Sequence, residues 1–289
     1  MAESYLGVRL DALRKAQNPD GGWPYFAGKR SWLEPTVYAA LALAGEPAAE
    51  RAWRLLQGWQ GVDGSWRPSH GVAVENFGTA LCVTLALSQG VAGPPVDKGI
   101  AWLLGTAGAE STWFNRMLSL AQTTEADRDP KLKGWPWKPD TSSWVEPTAQ
   151  ALIALKKSPA KTPQLRERIR LGEGELLFVQ CRDGGWNYGT RAALKTDLPS
   201  YPETTGIALV GLQGHGGLGA SLDYAAREVT RTTSPLGRAW LRIALRLHGA
   251  RMPDVDTRAN LPRDLQILAL EALAAPDGNV AAFKTEAVA

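Results

Sequence analysis

The residues best suited to chemistry in this chain are carboxylates set beside aromatics. Glu34 and Glu146 each stand in the string Ser-Trp-x-Glu-Pro-Thr, so Trp32 and Trp144 precede them at fixed spacing. Glu203 follows Tyr201 in the same way, in Tyr-Pro-Glu-Thr-Thr, and Glu75 heads a looser copy with Asn76. Two carboxyl groups opposed at a defined separation can cleave a glycosidic bond, and tryptophans beside them can stack on sugar rings. Trp137, in Gly-Trp-Pro-Trp, adds an aromatic to the same set. A different pair, Asp254 and Asp256 in Pro-Asp-Val-Asp-Thr-Arg, could share one proton, because ionising two neighbouring acids in a low-dielectric site is costly.

A structural reading stands beside the chemical one. Pro35 and Pro147 suit the first turn of a helix, so Glu34 and Glu146 also read as residues that cap a helix start and oppose its dipole. The glycine-turn tryptophans Trp23, Trp66 and Trp186 read as wedges between repeats. Trp32 and Trp144 lack that explanation and are candidates for lining a cavity. Metal chemistry has little to stand on. Cys82, Cys181, His70, His215 and His248 are scattered without zinc-site spacing, and no cofactor is called for. His70 and His215 sit in Gly-rich loops and read as exposed, whereas His248, near a helix end, reads as a dipole partner.

The elements that position these residues are written as a repeat. Gln-x3-Gly-x-Trp occurs as QNPDGGW (Gln17 to Trp23), QGVDGSW (Gln60 to Trp66) and QCRDGGW (Gln180 to Trp186). Each follows an amphipathic stretch, and the Asp-Gly pair supplies a stop and a sharp turn. After each turn comes an apolar run, as in EPTVYAALAL, EPTAQALIAL and ETTGIALVGL. Helices apolar nearly all round are buried on both sides, and Ala39, Ala151, Ala208 and Gly211 let neighbours approach closely. SPLGRAWLRIALRLHG and LPRDLQILALEAL read as two more inner helices, and Asp97 to Gln122 as one or two outer ones. The count comes to about eleven or twelve helices, with no convincing strand pattern. Six hairpins with buried inner helices predict closure into a ring, and every Gly-Trp…Glu loop then gathers at one rim.

Bulk properties agree with a globular chain. The 289 residues are 44% hydrophobic and 21% charged, and 12 are Trp, ample for a large core. The net charge of +3 is spread among acids, without the basic block of a nucleic-acid binder. MAESYLGVRLDALRKAQ has no apolar core behind a positive leader, and no apolar stretch is long enough to span a bilayer. The expectation is a cytoplasmic protein with no nucleic-acid partner; contact with a membrane surface and oligomeric state stay open.

The Gln-x3-Gly-x-Trp turns resemble the QW repeat of squalene–hopene and oxidosqualene cyclases. The alternation of outer and inner helices resembles the α/α toroid of terpene cyclases and of protein prenyltransferase β subunits. The resemblance covers almost the whole chain, most clearly Tyr5 to Gly214, and implies an all-α fold, a single α/α toroid over residues 1–289. It further implies acid-initiated cyclisation or isomerisation of a polyprenyl or triterpene-like hydrocarbon in an apolar aromatic cavity. Class II cyclases protonate an alkene with Asp-x-Asp-Asp. Asp254 and Asp256 supply two of those acids, Asp256 as the proton donor, and Thr257 stands where the third belongs. Trp32, Trp137, Trp144, Tyr201, Glu34, Glu146 and Glu203 would line the substrate site. The zinc set of a prenyltransferase is missing. Two alternatives stay open: a non-catalytic toroid binding a lipid or partner, and a carbohydrate-active barrel using the rim glutamates.

Overall fold

The computed structural model describes residues 4–72, 74, 77–111, 129, 131–193, 196–252 and 260–285. Eleven α-helices are present among them: α1 (Tyr5–Ala16), α2 (Leu33–Ala42), α3 (Pro47–Gln57), α4 (Gly78–Ser88), α5 (Pro94–Gly105), α6 (Val145–Lys157), α7 (Pro163–Phe178), α8 (Pro202–Gly211), α9 (Gly219–Arg231), α10 (Pro235–Leu247) and α11 (Leu265–Ala274). In α2, α4, α6, α8, α10 and α11 each helix packs on the next, and α11 returns to α2, which closes a ring of six. Outside it, α1 packs on α11, α3 on α2, α5 on α4, α7 on α6 and α9 on α10 and α8. The expected α/α toroid is therefore the observed fold.

The composition of the inner helices follows from two-sided burial. Every residue of α4 from Gly78 to Ala86 is buried, as is every residue of α8 from Thr204 to Gly211. Small residues set the spacing. A Cβ on Gly206 would come within 2.6 Å of the Trp240 backbone, and one on Gly211 within 2.9 Å of Ala149 Cα. Helix α10 departs from the pattern, because no outer helix separates it from α11 among the described residues. Arg238, Arg242 and Arg246, four residues apart, lie on one face of it. Arg242 donates to Ala274 O at 3.3 Å, and Arg246 donates to Pro276 O at 2.9 Å and to Ala275 O. Guanidinium groups thus satisfy carbonyls at the C-terminal end of α11 that would otherwise lack donors.

The Gly-Trp turns act as rivets. Trp23, Trp66 and Trp186 are fully buried. Their indole N–H groups donate to Leu13 O, Leu56 O and Leu176 O, in the last turns of the preceding outer helices. Their backbone N–H groups donate at 2.9 Å to the hydroxyls of Thr36, Thr79 and Thr205 in the following inner helices. The turn glutamines reach on to the next outer helix: Gln17 donates to Ala48 O, Gln60 to Pro95 O and Gln180 to Ser221 Oγ. Trp135 repeats the scheme with Leu103 O and the Thr148 hydroxyl, but without a turn glutamine. There Arg168 of α7 takes over, stacked 3.2 Å over the Trp135 ring and donating to Gly134 O at 3.0 Å and Thr106 O at 2.7 Å.

Four two-residue strands accompany the helices, where the sequence predicts none. Trp135–Pro136 pairs with Ser143–Trp144, and Ala192–Ala193 with Thr196–Asp197. The bridge Trp23↔Trp32 repeats the first pairing. These are clasps closing the rim loops, too short for an alternating pattern to register. At the opposite end of the ring, a 3-10 turn over Val280–Phe283 forms a floor. Ser88 donates to Ala282 O, Gln213 to Phe283 O and Asn279 to Leu41 O.

Candidate functional site

Four rim loops tie the inner helix they precede to the one before it in the ring. The free N–H of Leu33 donates to Pro68 O, Phe77 N–H to Trp137 O, Val145 N–H to Tyr188 O and Leu265 N–H to Tyr25 O. Amides at four helix starts that would otherwise be unpaired are thus satisfied by neighbouring loops, and these loops form a collar along that part of the mouth. Glu34, Glu146 and Glu203 lie in the first turns of α2, α6 and α8, and each keeps part of its surface accessible.

The three carboxylates bear on one another. Tyr25 Oη donates to Glu34 Oε2 at 2.6 Å, and Tyr188 Oη donates to Glu203 Oε1 at 3.3 Å. Glu146 stands between them without a hydrogen-bond partner among the described residues. Loss of water contact, and next the charges of Glu34 and Glu203, push its carboxyl up to about 7. Glu34 is also raised by burial, with the Tyr25 hydrogen bond opposing. No ion pair reaches any of the three among the described residues. In this they differ from Glu271, paired with Arg9, and Glu173, paired with Lys156.

Aromatic groups surround this cluster. Tyr25 and Trp32 have ring centres 6.3 Å apart, Phe77 and Trp137 meet edge to face at 4.4 Å, and Tyr188 and Tyr201 lie 5.2 Å apart. Trp144 and Tyr201 are each 40% exposed, and Phe26 and Tyr188 more so. Beneath the mouth the bore is filled. Tyr38 and Trp240 pack edge to face at 5.8 Å, and both rest on Phe283. The Gln150 amide donates to Tyr38 Oη at 2.8 Å across the ring. Aromatic side chains thus close the bore below the mouth. A depression of about 250 Å³ between α5 and α7, lined by Leu87, Val96 and Ile100, lies on the flank.

The structure brings Glu34, Glu146, Glu203, Trp32, Trp144, Trp137 and Tyr201 to one collar, as the repeat requires. Trp32, Trp144 and Tyr201 also hold the N-cap positions of their helices, a structural duty the sequence reading did not give them. Asp254, Asp256, Thr257, Glu75 and Asn76 lie outside the described residues. His248 contacts Leu209 O at 2.8 Å, near the end of α8 and not of its own helix. His70 and His215 are exposed. Sequence reasoning missed Tyr25 and Tyr188, though a signal existed. Trp23-Pro-Tyr25, Trp135-Pro-Trp137 and Trp186-Asn-Tyr188 all place an aromatic two residues after the turn tryptophan.

No family model matches the sequence. Drimenyl diphosphate synthase from Streptantibioticus cattleyicolor is 30% identical over 179 residues, which is 60% of this chain and 30% of that protein. The chain therefore spans under a third of the length of this curated relative. Among solved structures, the type II terpene cyclase MstE from Scytonema, bound to geranylgeranyl dihydroxybenzoate, superposes with a TM-score of 0.54. The identity is 17%, with 93% of this chain and 76% of that one covered. A family 8 glycosyl hydrolase, an endoglucanase from Klebsiella pneumoniae, gives a TM-score of 0.60 at 14% identity, covering 92% and 97%. The chain has the α/α toroid fold of the type II terpene cyclases and resembles that superfamily in sequence.

Proposed function

We propose that the protein is a terpene cyclase-like isomerase that takes a polyprenyl or triterpenoid hydrocarbon at the collar and cyclises or isomerises it by acid initiation. The observation that carries this reading is the 30% identity to drimenyl diphosphate synthase, and the aromatic collar supports it. Tyr25, Trp32, Trp137, Trp144 and Tyr201 offer π faces that bind apolar chains and stabilise cationic charge.

Of the collar acids, Glu146 is poorly suited to initiate the reaction. Protonating an alkene demands a carboxyl more acidic than usual, whereas Glu146 is pushed up to about 7 and is a weaker acid than usual. On the resemblance to the class II acid motif, the proton is assigned to Asp256, with Asp254 as the second acid and Thr257 where the third would stand. The proton leaves the Asp256 carboxyl as the alkene π pair forms a C–H bond. The adjacent cationic carbon is captured by the next alkene, and loss of a proton from the last cation returns one proton to a base. Exposed Phe26, Trp144, Tyr188 and Tyr201 on the collar side suit peripheral contact with a membrane holding such a substrate. No helix among the described residues is long and apolar enough to cross one.

The test is an assay of the purified protein with linear C15, C20 and C30 isoprenoids, with and without magnesium. Metal-independent cyclised or isomerised product that disappears in Asp256→Asn is the expected result. Absence of product, or activity surviving that change, overturns the assignment. One observation favours a second reading: a general acid for glycoside cleavage needs a raised carboxyl, which Glu146 provides. Release of reducing sugar from a β-glucan, lost in Glu146→Gln, would establish it instead.

A further inference from the structure

We propose that the groove between α5 and α7 binds a single long-chain carboxylate, its alkyl chain laid along Val96, Ile100 and Leu165 and its carboxylate held by Lys157, Lys161 and Lys284. The site stands apart from the collar. Helix α6 carries Glu146 in its first turn and Lys157 in its last, about 17 Å away at a rise of about 1.5 Å per residue. The inference does not depend on whether the chain is catalytic.

Three observations converge on it. The first is adjacency. The apolar groove of about 250 Å³ and a second depression of about 500 Å³ share Leu87, Ser158 and Pro159 as walls, so the two form one trough. Aliphatic side chains of α5 and α7 line one end, and Lys157, Lys161 and Lys284 line the other. An apolar chain ending in an anion matches that polarity end for end. The second is that two of the ammonium groups are held in place. Lys157 Nζ donates to Lys284 O at 3.0 Å and Lys161 Nζ to Lys156 O at 2.7 Å, each spending one of its three donors. Donors fixed beforehand lose little freedom when a ligand arrives. Burial also holds the Lys157 amine below the usual lysine range, and an anion beside it favours the charged form. The third is shape. The large exposed hydrophobic side chains among the described residues, such as Phe26, Trp144 and Tyr188, all lie outside α5, α7 and the loop between α6 and α7. This flank has a hollow that withdraws one chain from water, not a projecting apolar face that enters a bilayer.

A simpler explanation covers part of this. Lys157 lies in the last turn of α6, where a cation opposes the helix dipole, and Asp97 in the groove wall likewise suits the first turn of α5. Dipole compensation accounts for those charges but not for the aliphatic hollow joined to the lysines. The trough also discriminates among ligands. An alkylamine meets like charge, a neutral alcohol gains only the chain contacts, and acetate gains only the lysines.

Calorimetric titration with sodium decanoate, decan-1-ol, decylamine and sodium acetate, at pH 8 and in low salt, separates these cases. Decanoate is expected to bind about ten-fold or more tightly than decanol, since a hydrogen bond to a charged group is worth roughly one decade or more of affinity. Decylamine and acetate are expected to bind weakest. Lys284→Gln, at an exposed position, should lower decanoate affinity about ten-fold and leave that of decanol unchanged. Ala101→Trp, at an exposed position of the groove wall, fills the hollow and should abolish binding of both. Helical circular dichroism serves as the check of folding, and Lys161→Gln and Ile100→Trp replace either variant should it not fold. Equal affinity for decanoate and decanol overturns the proposal, as does acetate binding as tightly as decanoate. Decanoate affinity unchanged by the lysine variant, or by the groove-filling one, overturns it as well. Co-sedimentation with phosphatidylglycerol vesicles in the absence of decanoate binding would make this flank a membrane contact and overturn it too.

Discussion

Replacing Glu146 by glutamine tests the electrostatics of the collar through stability. The carboxyl is pushed from its ordinary value of 4.5 up to about 7 by desolvation and by Glu34 and Glu203. In the unfolded chain those causes vanish. Between pH 4.5 and 7 the folded state therefore holds the proton more tightly than the unfolded state, and stability falls as pH rises through that window. Above pH 7 the loss is complete. At about 1.4 kcal/mol for each pH unit separating the two values, it amounts to about 3 kcal/mol. This is an upper figure, because the side chain keeps some contact with water. Glutamine has nearly the same shape and carries no charge. Glu146→Gln should then stabilise the protein at pH 8 by about 1–3 kcal/mol, and the gain should shrink towards nothing near pH 5. Urea denaturation of both proteins at pH 5, 6, 7 and 8 measures the difference directly. A variant less stable than the parent at pH 8 refutes the reasoning, as does a difference that does not change with pH.

Removal of a turn tryptophan should cost far more than removal of a collar tryptophan. Trp186→Ala empties a fully buried site and strands the Leu176 carbonyl, a loss of about 3–5 kcal/mol. Trp144→Ala, from a side chain 40% exposed, should cost clearly less while weakening ligand binding, and equal losses in thermal melts would remove the division of roles. Arg168→Ala should destabilise by about 3 kcal/mol or more, because it strips donors from Gly134 O and Thr106 O and uncovers the Trp135 ring. Arg168→Lys should recover only part, since a point charge cannot serve both carbonyls and stack; full recovery would mean that charge alone matters. Tyr25→Phe deletes the hydrogen bond that holds the Glu34 carboxyl down. The Glu34 carboxyl should then titrate at higher pH, which carboxyl chemical shifts would record, and an unchanged midpoint would show that the hydroxyl does not steady the charge.

The toroid was legible because its parts are local. A turn of Gln-x3-Gly-x-Trp needs only seven residues to specify a helix stop, a wedge and a reach to the next helix, and a buried helix announces itself by lacking a polar face. What local pattern does not encode is substitution of one device by another. At Trp135 the glutamine is missing, and the compensating Arg168 lies 33 residues further on in α7, where it reads as one more surface arginine of an amphipathic helix. The arginine face of α10 is a similar case. A stripe of Arg238, Arg242 and Arg246 reads as solvated charge, but two of its members close the carbonyl end of α11 in place of a covering helix.

The site was legible in kind but not in function, and the reason lies in distance along the chain. Repetition by itself brings Glu34, Glu146 and Glu203 to the same height on the ring, so their shared collar could be foreseen. Whether they are compensated could not, because each counter-ion might have come from any loop of the rim. Among the described residues, the charges that act on Glu146 are those of Glu34 and Glu203, it acts in turn on Tyr25, Tyr38 and Tyr188, and one helical turn deeper Gln150 is bonded across the ring to Tyr38. A single glutamate at a helix start is adequately explained as a cap that opposes the dipole. Three such residues, on α2, α6 and α8, bear on one another at the mouth, and a charge favourable to each helix alone becomes unfavourable to the set. Among the described residues the three carboxylates therefore carry an electrostatic cost that local helix stability does not require, and a proton on Glu146 relieves it.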